Sequence, residues 1–173
     1  MTRLVRLDDA PWLTEVLRAN REFLAPWEPL RDDEFFTVRF QTQALTRALE
    51  EHAQGRMLPL AIVDHDGVLA GRLTLDGITR GALQSAAMGY WVRRERNGLG
   101  LATAAVREAV TIAFTDLRLH RVQAETLIHN APSQRVLTAN GFQPYGLAPQ
   151  YLKIAGRWQD HVLYQRLTGE ADV

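Results

Sequence analysis

Two glycines lie between an apolar strand pattern and a strong helix pattern, and they are the first candidates for a ligand-binding site. Gly98 and Gly100 belong to the turn Asn97–Thr103, and the helix pattern begins at Leu101. Glycine leaves no side chain between backbone N–H groups and a ligand, and a helix N-terminus adds unpaired donors and its dipole. The turn therefore predicts a di-phosphate site, although a tight strand-to-helix connection explains the glycines alone equally well.

Two better-known phosphate motifs fit this turn poorly. A Rossmann fingerprint needs a third small residue where Thr103 stands and normally lies early in the chain, whereas this turn lies past mid-chain. A Walker loop needs Gly-Lys followed by Ser or Thr, which is missing. Three neighbouring arginines, Arg93, Arg94 and Arg96, add positive charge beside the turn.

A strand, a helix and a second strand must position the turn. The apolar pattern predicts a strand over Leu83–Val92 and a further strand over His120–Ile128. Between them, one apolar stripe at helical spacing predicts a helix over Leu101–Leu117. A strand–helix–strand crossover predicts two neighbouring parallel strands. Preceding meander strands make this an α/β arrangement with a mixed sheet.

The remaining elements follow from apolar spacing and from the positions of glycine and proline. The predicted strands are Thr2–Leu7, Leu58–Val63, Val68–Leu75, Phe142–Leu147 and Trp158–Leu167. The predicted helices are one after Asp8 or Asp9, a helical region Phe35–Gln54, and Pro132–Asn140. No internal repeat or linker marks a domain boundary.

Composition limits the kind of protein rather than its reaction. The 173 residues hold 20 basic and 20 acidic side chains and no cysteine. Balanced charge predicts no direct nucleic-acid or membrane partner, and no apolar run approaches a membrane span. We expect a cytoplasmic monomer or homodimer. The five histidines show no paired metal spacing, so we expect no catalytic metal.

The stretch from Gly89-Tyr90-Trp91-Val92 to Thr103 resembles the coenzyme motif of the GNAT N-acetyltransferases. That motif reads Gln/Arg-x-x-Gly-x-Gly/Ala, with Gly100 and Ala102 at the small positions. The sequence departs from the motif at Asn97. The resemblance implies a single GNAT domain over 1–173, with a mixed, mostly antiparallel twisted sheet of about seven strands. A splayed parallel pair lies at the centre of that sheet, and about four helices flank it.

Other segments narrow the resemblance. His129–Val136 with Asn140-Gly141-Phe142 looks like the family's Asn-x-x-Ser segment followed by Gly-Phe. Asn20–Pro29 and Tyr151–Leu163 look like the RimJ type of ribosomal-protein-alanine N-acetyltransferases. The resemblance implies acetyl-CoA as donor, with its pantetheine arm between the two splayed strands. The coenzyme-binding residues it implies are Trp91, Val92, Arg93, Asn97, Gly98, Leu99, Gly100, Leu101, Ala102, Thr103, Asn130, Ser133 and Arg135.

The candidate catalytic residues follow from the chemistry of acyl transfer together with the family resemblance. Glu125 lies on a central strand, five residues before Asn130, where the RimI type carries its catalytic Glu. Pairing with an arginine is the alternative interpretation. Many relatives supply a thiolate proton donor from a Tyr seven residues after the Asn, but Leu137 stands there. Ser133 is the remaining candidate.

The acceptor groove is expected to contain Trp27, Glu28, Tyr90 and Tyr151, of which Trp27 and Tyr151 serve packing equally well. The leading hypothesis is acetyl transfer to a protein N-terminus, with a ribosomal protein as one candidate acceptor. One alternative is a small-amine or antibiotic acetyltransferase on the same scaffold. Another is a non-catalytic module that binds acyl-CoA or contacts the ribosome.

Overall fold

A computed structural model describes residues 1–169, so residues 170–173 of the predicted domain lie outside it. The helices are α1 (Ala10–Ala19), α2 (Arg21–Leu24), α3 (Val38–Ala53), α4 (Leu101–Thr115) and α5 (Ala131–Ala139). The strands are β1 (Thr2–Leu4), β2 (Leu58–Val63), β3 (Leu69–Thr79), β4 (Ser85–Val92), β5 (Arg121–Leu127), β6 (Gln143–Ile154) and β7 (Arg157–Leu167). Within residues 1–169, no helix has the length and apolar character to cross a membrane.

One mixed sheet contains all seven strands, in the order β1-β2-β3-β4-β5-β7-β6. Every neighbouring pair is antiparallel except β4 and β5, which α4 joins by a crossover. The predicted mixed sheet with a central parallel pair is therefore confirmed. The helix count exceeds the expected four because the four-residue α2 follows α1 directly.

The parallel pair is hydrogen-bonded over only part of its length. Ser85–Ala87 pairs with Arg121–Gln123, and the pairing stops there although β4 continues to Val92 and β5 to Leu127. The other edge of β4 stays paired with β3 as far as Val92. We call the opening between the later halves of β4 and β5 the splay. It leaves backbone N–H and C=O groups that need partners.

Each face of the sheet has its own hydrophobic core. One core packs β2–β5 against α4 and α5 and includes the fully buried residues Leu73, Val106 and Leu137. The other packs α1 and α3 on the opposite face, around Leu13 and Leu45. We name these the α4 face and the α3 face. Because strand residues alternate, the two faces of the splay receive different side chains.

Several predicted elements were wrong in extent. The first strand ends at Leu4 and not at Leu7, and the strand predicted to end at Leu75 continues to Thr79. The helical region Phe35–Gln54 divides at Thr37, whose hydroxyl accepts a hydrogen bond from the Phe40 backbone N–H and caps α3. The strand Phe142–Leu147 continues to Ile154 as β6, with an irregularity between Ala148 and Leu152. Proline within a strand pattern argues against a regular strand, and Pro149 lies inside this irregularity.

Leu73→Ala tests the importance of the α4-face core. Leu73 is fully buried, so its truncation should lower the free energy of unfolding by about 2–5 kcal/mol through lost burial and a residual cavity. Leu83→Ala is the matched control, since Leu83 is 53% exposed and should change stability by less than about 0.5 kcal/mol. Urea unfolding measures both, and equal losses would contradict the assignment of the core.

Candidate active site

The turn before α4 has the geometry expected of an anion site. Gly98 and Gly100 have φ values of 79° and 75°, a region that side chains disfavour. A Cβ added at either glycine would meet nothing within 4 Å, so the space above the turn is open. No side chain of residues 1–169 caps α4, and its first intrahelical bond runs from the Ala104 N–H to the Gly100 carbonyl. The preceding N–H groups, from Leu101 to Thr103, are free for a ligand.

Asn97 has a structural role at the position where the sequence departs from the family motif. Its Nδ2 donates to the carbonyl oxygens of Val92 at 3.1 Å and Arg93 at 2.9 Å. The amide therefore holds the turn against the end of β4. A contact between Asn97 and the coenzyme stays a prediction.

Two of the neighbouring arginines are engaged elsewhere. The Arg93 guanidinium lies over the Trp12 ring at 5.9 Å, and its backbone N–H donates to Ala70. Arg96 forms an ion pair with the buried Asp64 at 3.0 Å. Arg93 was predicted to bind the coenzyme, and that role remains a prediction.

The turn is also tied to α1. The Arg94 backbone N–H donates to the Oδ1 of Asn20 at 2.7 Å. Asn20 is buried, and its Nδ2 donates to the Val16 carbonyl, so its position is fixed. The Arg94 side chain remains exposed beside the turn.

The side chains of Trp91 and Val92 pack into the two cores and do not enter the splay. Val92 is buried in the α4-face core, and Trp91 packs against the α3-face core. The Trp91 carbonyl lies against Gly71 of β3, and the Val92 carbonyl accepts a hydrogen bond from Asn97. The remaining backbone groups on the β5 side of β4 beyond Ala87 have no strand partner. An amide-containing arm such as pantetheine could pair with these groups, which is the fit that the coenzyme requires.

Asn130 begins α5, as its sequence position suggested. Its Oδ1 accepts a hydrogen bond from the Ser133 backbone N–H at 3.2 Å, and Pro132 occupies the first turn. This cap fixes the backbone of Ser133 next to the end of β5. Arg135 is exposed on the same helix. Leu137 is fully buried in the α4-face core, so no hydroxyl reaches the site from that position.

Tyr90 and Ser133 meet across the splay. The two hydroxyl oxygens are 2.9 Å apart, and the Tyr90 hydroxyl also lies 3.2 Å from the Ser133 carbonyl oxygen. Burial raises the pKa of Tyr90 to about 12, an effect that the hydrogen bond with Ser133 partly opposes. The sequence placed Tyr90 in the acceptor groove and Ser133 at the coenzyme, and it contained no signal that they touch.

A groove opens on the α3 face of the splay. It consists of two cavities of 370 Å³ and 650 Å³ that share Ala44, Arg72, Thr74 and Gly89. The smaller cavity is lined by Trp27, Glu28, Tyr90 and Trp91 among others, and the larger by Glu125 and Leu152. Glu125 thus lies at the splay on the face opposite the Ser133 hydroxyl. Burial raises the pKa of the Glu125 carboxyl.

Trp27 and Glu28, which line the smaller cavity, contact segments distant in sequence. The Trp27 ring lies 5.6 Å from the His129 ring, and the Glu28 carbonyl accepts a hydrogen bond from the Ala155 N–H at 2.9 Å. Tyr151 packs edge-on against His161 at 5.7 Å. Burial raises the pKa of Tyr151, and repulsion from Glu125 and Tyr145 adds to the shift. Tyr151 lines neither of the two cavities.

Arg72 is a groove residue that sequence reasoning missed. Its guanidinium makes no hydrogen bond or ion pair with residues 1–169, and its Nε is buried. Burial lowers its pKa, while Asp9 and Glu28 act in the opposite direction through space. An arginine within an alternating strand was visible in the sequence, but only the packing of α3 shows that this side of β3 lines a groove.

An open helix N-terminus, a splayed parallel pair and a groove with a carboxylate are the features that the resemblance to the GNAT N-acetyltransferases predicted. The chain belongs to the GNAT acetyltransferase family, since residues 1–143 match its acetyltransferase (GNAT) domain.

Similar proteins agree with this assignment. The chain is 38% identical to the probable N-acetyltransferase YjcK of Bacillus subtilis, over 82% of this chain and 79% of the relative. It is 32% identical to the [ribosomal protein uS5]-alanine N-acetyltransferase of Escherichia coli, over 94% and 84% of the two chains. The structure of Mycobacterium smegmatis RimJ in complex with CoA-disulfide superposes with a TM-score of 0.93 at 38% identity, covering 96% and 81% of the two chains.

The chain is therefore an acetyl-CoA-dependent N-acetyltransferase of the RimJ type, as the resemblance predicted. The individual coenzyme, catalytic and acceptor residues remain predictions. Within residues 1–169, no group of three or more His, Asp or Glu side chains is arranged to hold a metal ion.

Gly100→Ala tests the phosphate turn. The added Cβ meets no protein atom, so its effect on the protein is backbone strain of about 1–2 kcal/mol. Loss of well-aimed N–H donors to a charged ligand should weaken coenzyme A binding roughly 10- to 100-fold by calorimetry. Gly55→Ala is the matched control, because Gly55 has φ 70° and equally open space at the end of α3. Equal coenzyme affinity in the two variants would contradict the phosphate site.

Glu125→Gln tests the burial of the carboxylate. Because the folded pKa is raised, the folded chain keeps this proton at pH values where the unfolded chain has lost it. The wild type therefore loses stability as pH rises from the unfolded value of about 4.3 through the folded pKa. The variant should match the wild type near pH 4 and be more stable near pH 7 in urea unfolding. Glu15→Gln on the exposed side of α1 gives the baseline for charge removal, and an identical pH profile in both variants would contradict burial.

Proposed function

We propose that the chain transfers acetyl from acetyl-CoA to the N-terminal α-amine of a protein, by direct attack in a ternary complex. The observation that carries this proposal is the groove on the α3 face, two joined cavities that lead past Glu125 to the splay. Such an elongated groove suits an extended peptide end. The uS5-alanine acetyltransferase among the relatives supports the same acceptor class.

The amine's pKa supports an α-amine over lysine. An α-amino group has a pKa near 8, so its deprotonation at pH 7 costs roughly 1.4 kcal/mol, whereas lysine costs roughly 4.6 kcal/mol. Glu125, with its pKa raised by burial, is a moderate base placed on the acceptor side. We assign it to receive the amine's proton, directly or through water. This is adequate for an α-amine and weak for lysine.

We assign the stabilisation of the leaving thiolate to Ser133, which lies on the α4 face of the splay. Its hydroxyl can donate a hydrogen bond to the sulfur, while a free N–H of β4 polarises the acetyl carbonyl. The turn at Gly98–Thr103 holds the pyrophosphate through its N–H donors. Asn130 and Arg135 complete the proposed coenzyme contacts.

In this proposal the acceptor is held by Trp27, Glu28 and Tyr151, and by the part of Tyr90 that lines the smaller cavity. Arg72 adds an unpaired guanidinium, which suits a peptide carbonyl or carboxylate. A polyamine is disfavoured, because the two cations Arg31 and Arg72 line the smaller cavity beside Glu28 and would repel its ammonium groups. A small-amine acceptor is therefore the second candidate only.

Thiol release from acetyl-CoA in the presence of peptides tests the acceptor. We expect turnover with peptides that begin with Ala or Ser, none with the same peptides blocked at the α-amine, and little with an internal lysine alone. Mass spectrometry should locate the acetyl group on the α-amine. Turnover of small amines with no turnover of these peptides would overturn the acceptor assignment, and coenzyme binding without turnover of any amine would indicate a non-catalytic module.

A further inference from the structure

The hydroxyl groups of Tyr90 and Ser133 form a pair whose hydrogen-bond direction decides what Ser133 can do. Tyr90 has one hydroxyl hydrogen and lies within reach of two acceptors on Ser133, the Oγ at 2.9 Å and the carbonyl oxygen at 3.2 Å. If Tyr90 donates to the carbonyl, Ser133 Oγ donates to Tyr90 and its hydrogen is used. If Tyr90 donates to Oγ, the Ser133 hydrogen is free to point elsewhere.

The surroundings of the pair favour the second arrangement once a thiolate is present. The Asn130 cap holds the Ser133 backbone, so the Ser133 hydroxyl starts from a fixed Cα position. Leu137 is fully buried and supplies no hydroxyl from the next turn of α5. A hydroxyl that accepts one hydrogen bond becomes a better donor to the next acceptor.

We propose that Tyr90 is a positioning residue that donates to Ser133 Oγ and thereby directs the Ser133 hydroxyl hydrogen toward the coenzyme sulfur. This inference rests on the proposed role of Ser133. In the reaction the neutral amine nitrogen bonds to the acetyl carbon, the C–S bond breaks with its electron pair on sulfur, and the proton that the nitrogen then releases goes to Glu125. The thiolate is stabilised by the Ser133 hydrogen bond, and neither hydroxyl loses its proton.

Tyr90 is unsuited to act as the acid itself. Its pKa of about 12 lies well above the value of about 8.5 for a thiol, so proton transfer to the thiolate would be unfavourable on the order of 10³-fold. The same high pKa keeps Tyr90 protonated, and hence a donor, throughout the working pH range.

A double-mutant cycle with Tyr90→Phe and Ser133→Ala tests the proposal kinetically. We expect Tyr90→Phe to lower kcat roughly 10-fold, less than the 10²–10³-fold typical for loss of a direct donor, with KM for acetyl-CoA nearly unchanged. In the Ser133→Ala background the Tyr90→Phe change should have no further effect, because Tyr90 acts through Ser133. Multiplicative losses would show an independent, merely structural role and overturn the proposal.

Binding measurements test the same inference without turnover. Calorimetry would compare coenzyme A with its desulfo analogue above pH 9, where the thiol is ionised. The wild type should prefer coenzyme A, and Tyr90→Phe and Ser133→Ala should both reduce that preference to a similar extent. A preference unchanged in Tyr90→Phe would overturn the proposal, whatever the acceptor proves to be.

Tyr145→Phe is the matched control. Tyr145 lies on β6, where its hydroxyl accepts a hydrogen bond from Gln123 Nε2 at 2.6 Å, away from Ser133. It should leave the binding preference and the acetyl-CoA KM unchanged. Urea unfolding of each variant shows that any loss reflects the site and not the fold.

Discussion

Backbone groups inside a sheet need hydrogen-bond partners, and this sheet leaves some of them without any at its centre. β4 and β5 pair over three residues each and then separate, while β4 keeps its antiparallel partner on the other side. The separation is therefore a local loss of one ladder within an otherwise continuous sheet. It creates a narrow opening that an amide-containing arm can fill, and the proposed coenzyme and acceptor sites both lie around it.

The opening also separates the two halves of the chemistry. Alternation along β4 and β5 sends Tyr90 and Val92 to the α4 face, and Trp91 and Glu125 to the α3 face. The hydroxyl pair lies on one side, where the sulfur would leave, and the carboxylate groove lies on the other, where the amine would enter. The carbonyl carbon would then sit between them, which suits attack by the amine followed by loss of the thiolate.

The phosphate turn depends on contacts outside itself. Asn97 holds it to the end of β4, Asn20 holds it to α1, and the Arg96–Asp64 pair holds it to the β2–β3 turn. These anchors leave the helix N–H groups fixed and free of protein acceptors, so little ordering is required when an anion binds. Asn97 and Arg96 therefore both have a structural role in holding the turn.

The sequence by itself determined the features that neighbouring residues control. The open glycine turn, the apolar stripe of α4, the Asn130 cap with Pro132 and the parallel crossover all follow from spacings of a few residues. Contacts over long separations were decided only by the tertiary structure: Tyr90 with Ser133, Trp27 with His129, and Arg72 on the floor of the groove. The physical reason is that alternation assigns a side chain to one of two faces but does not say which layer covers that face. The irregular second half of β6 likewise depends on a contact between separate segments, because it is held as a strand by its pairing with β7.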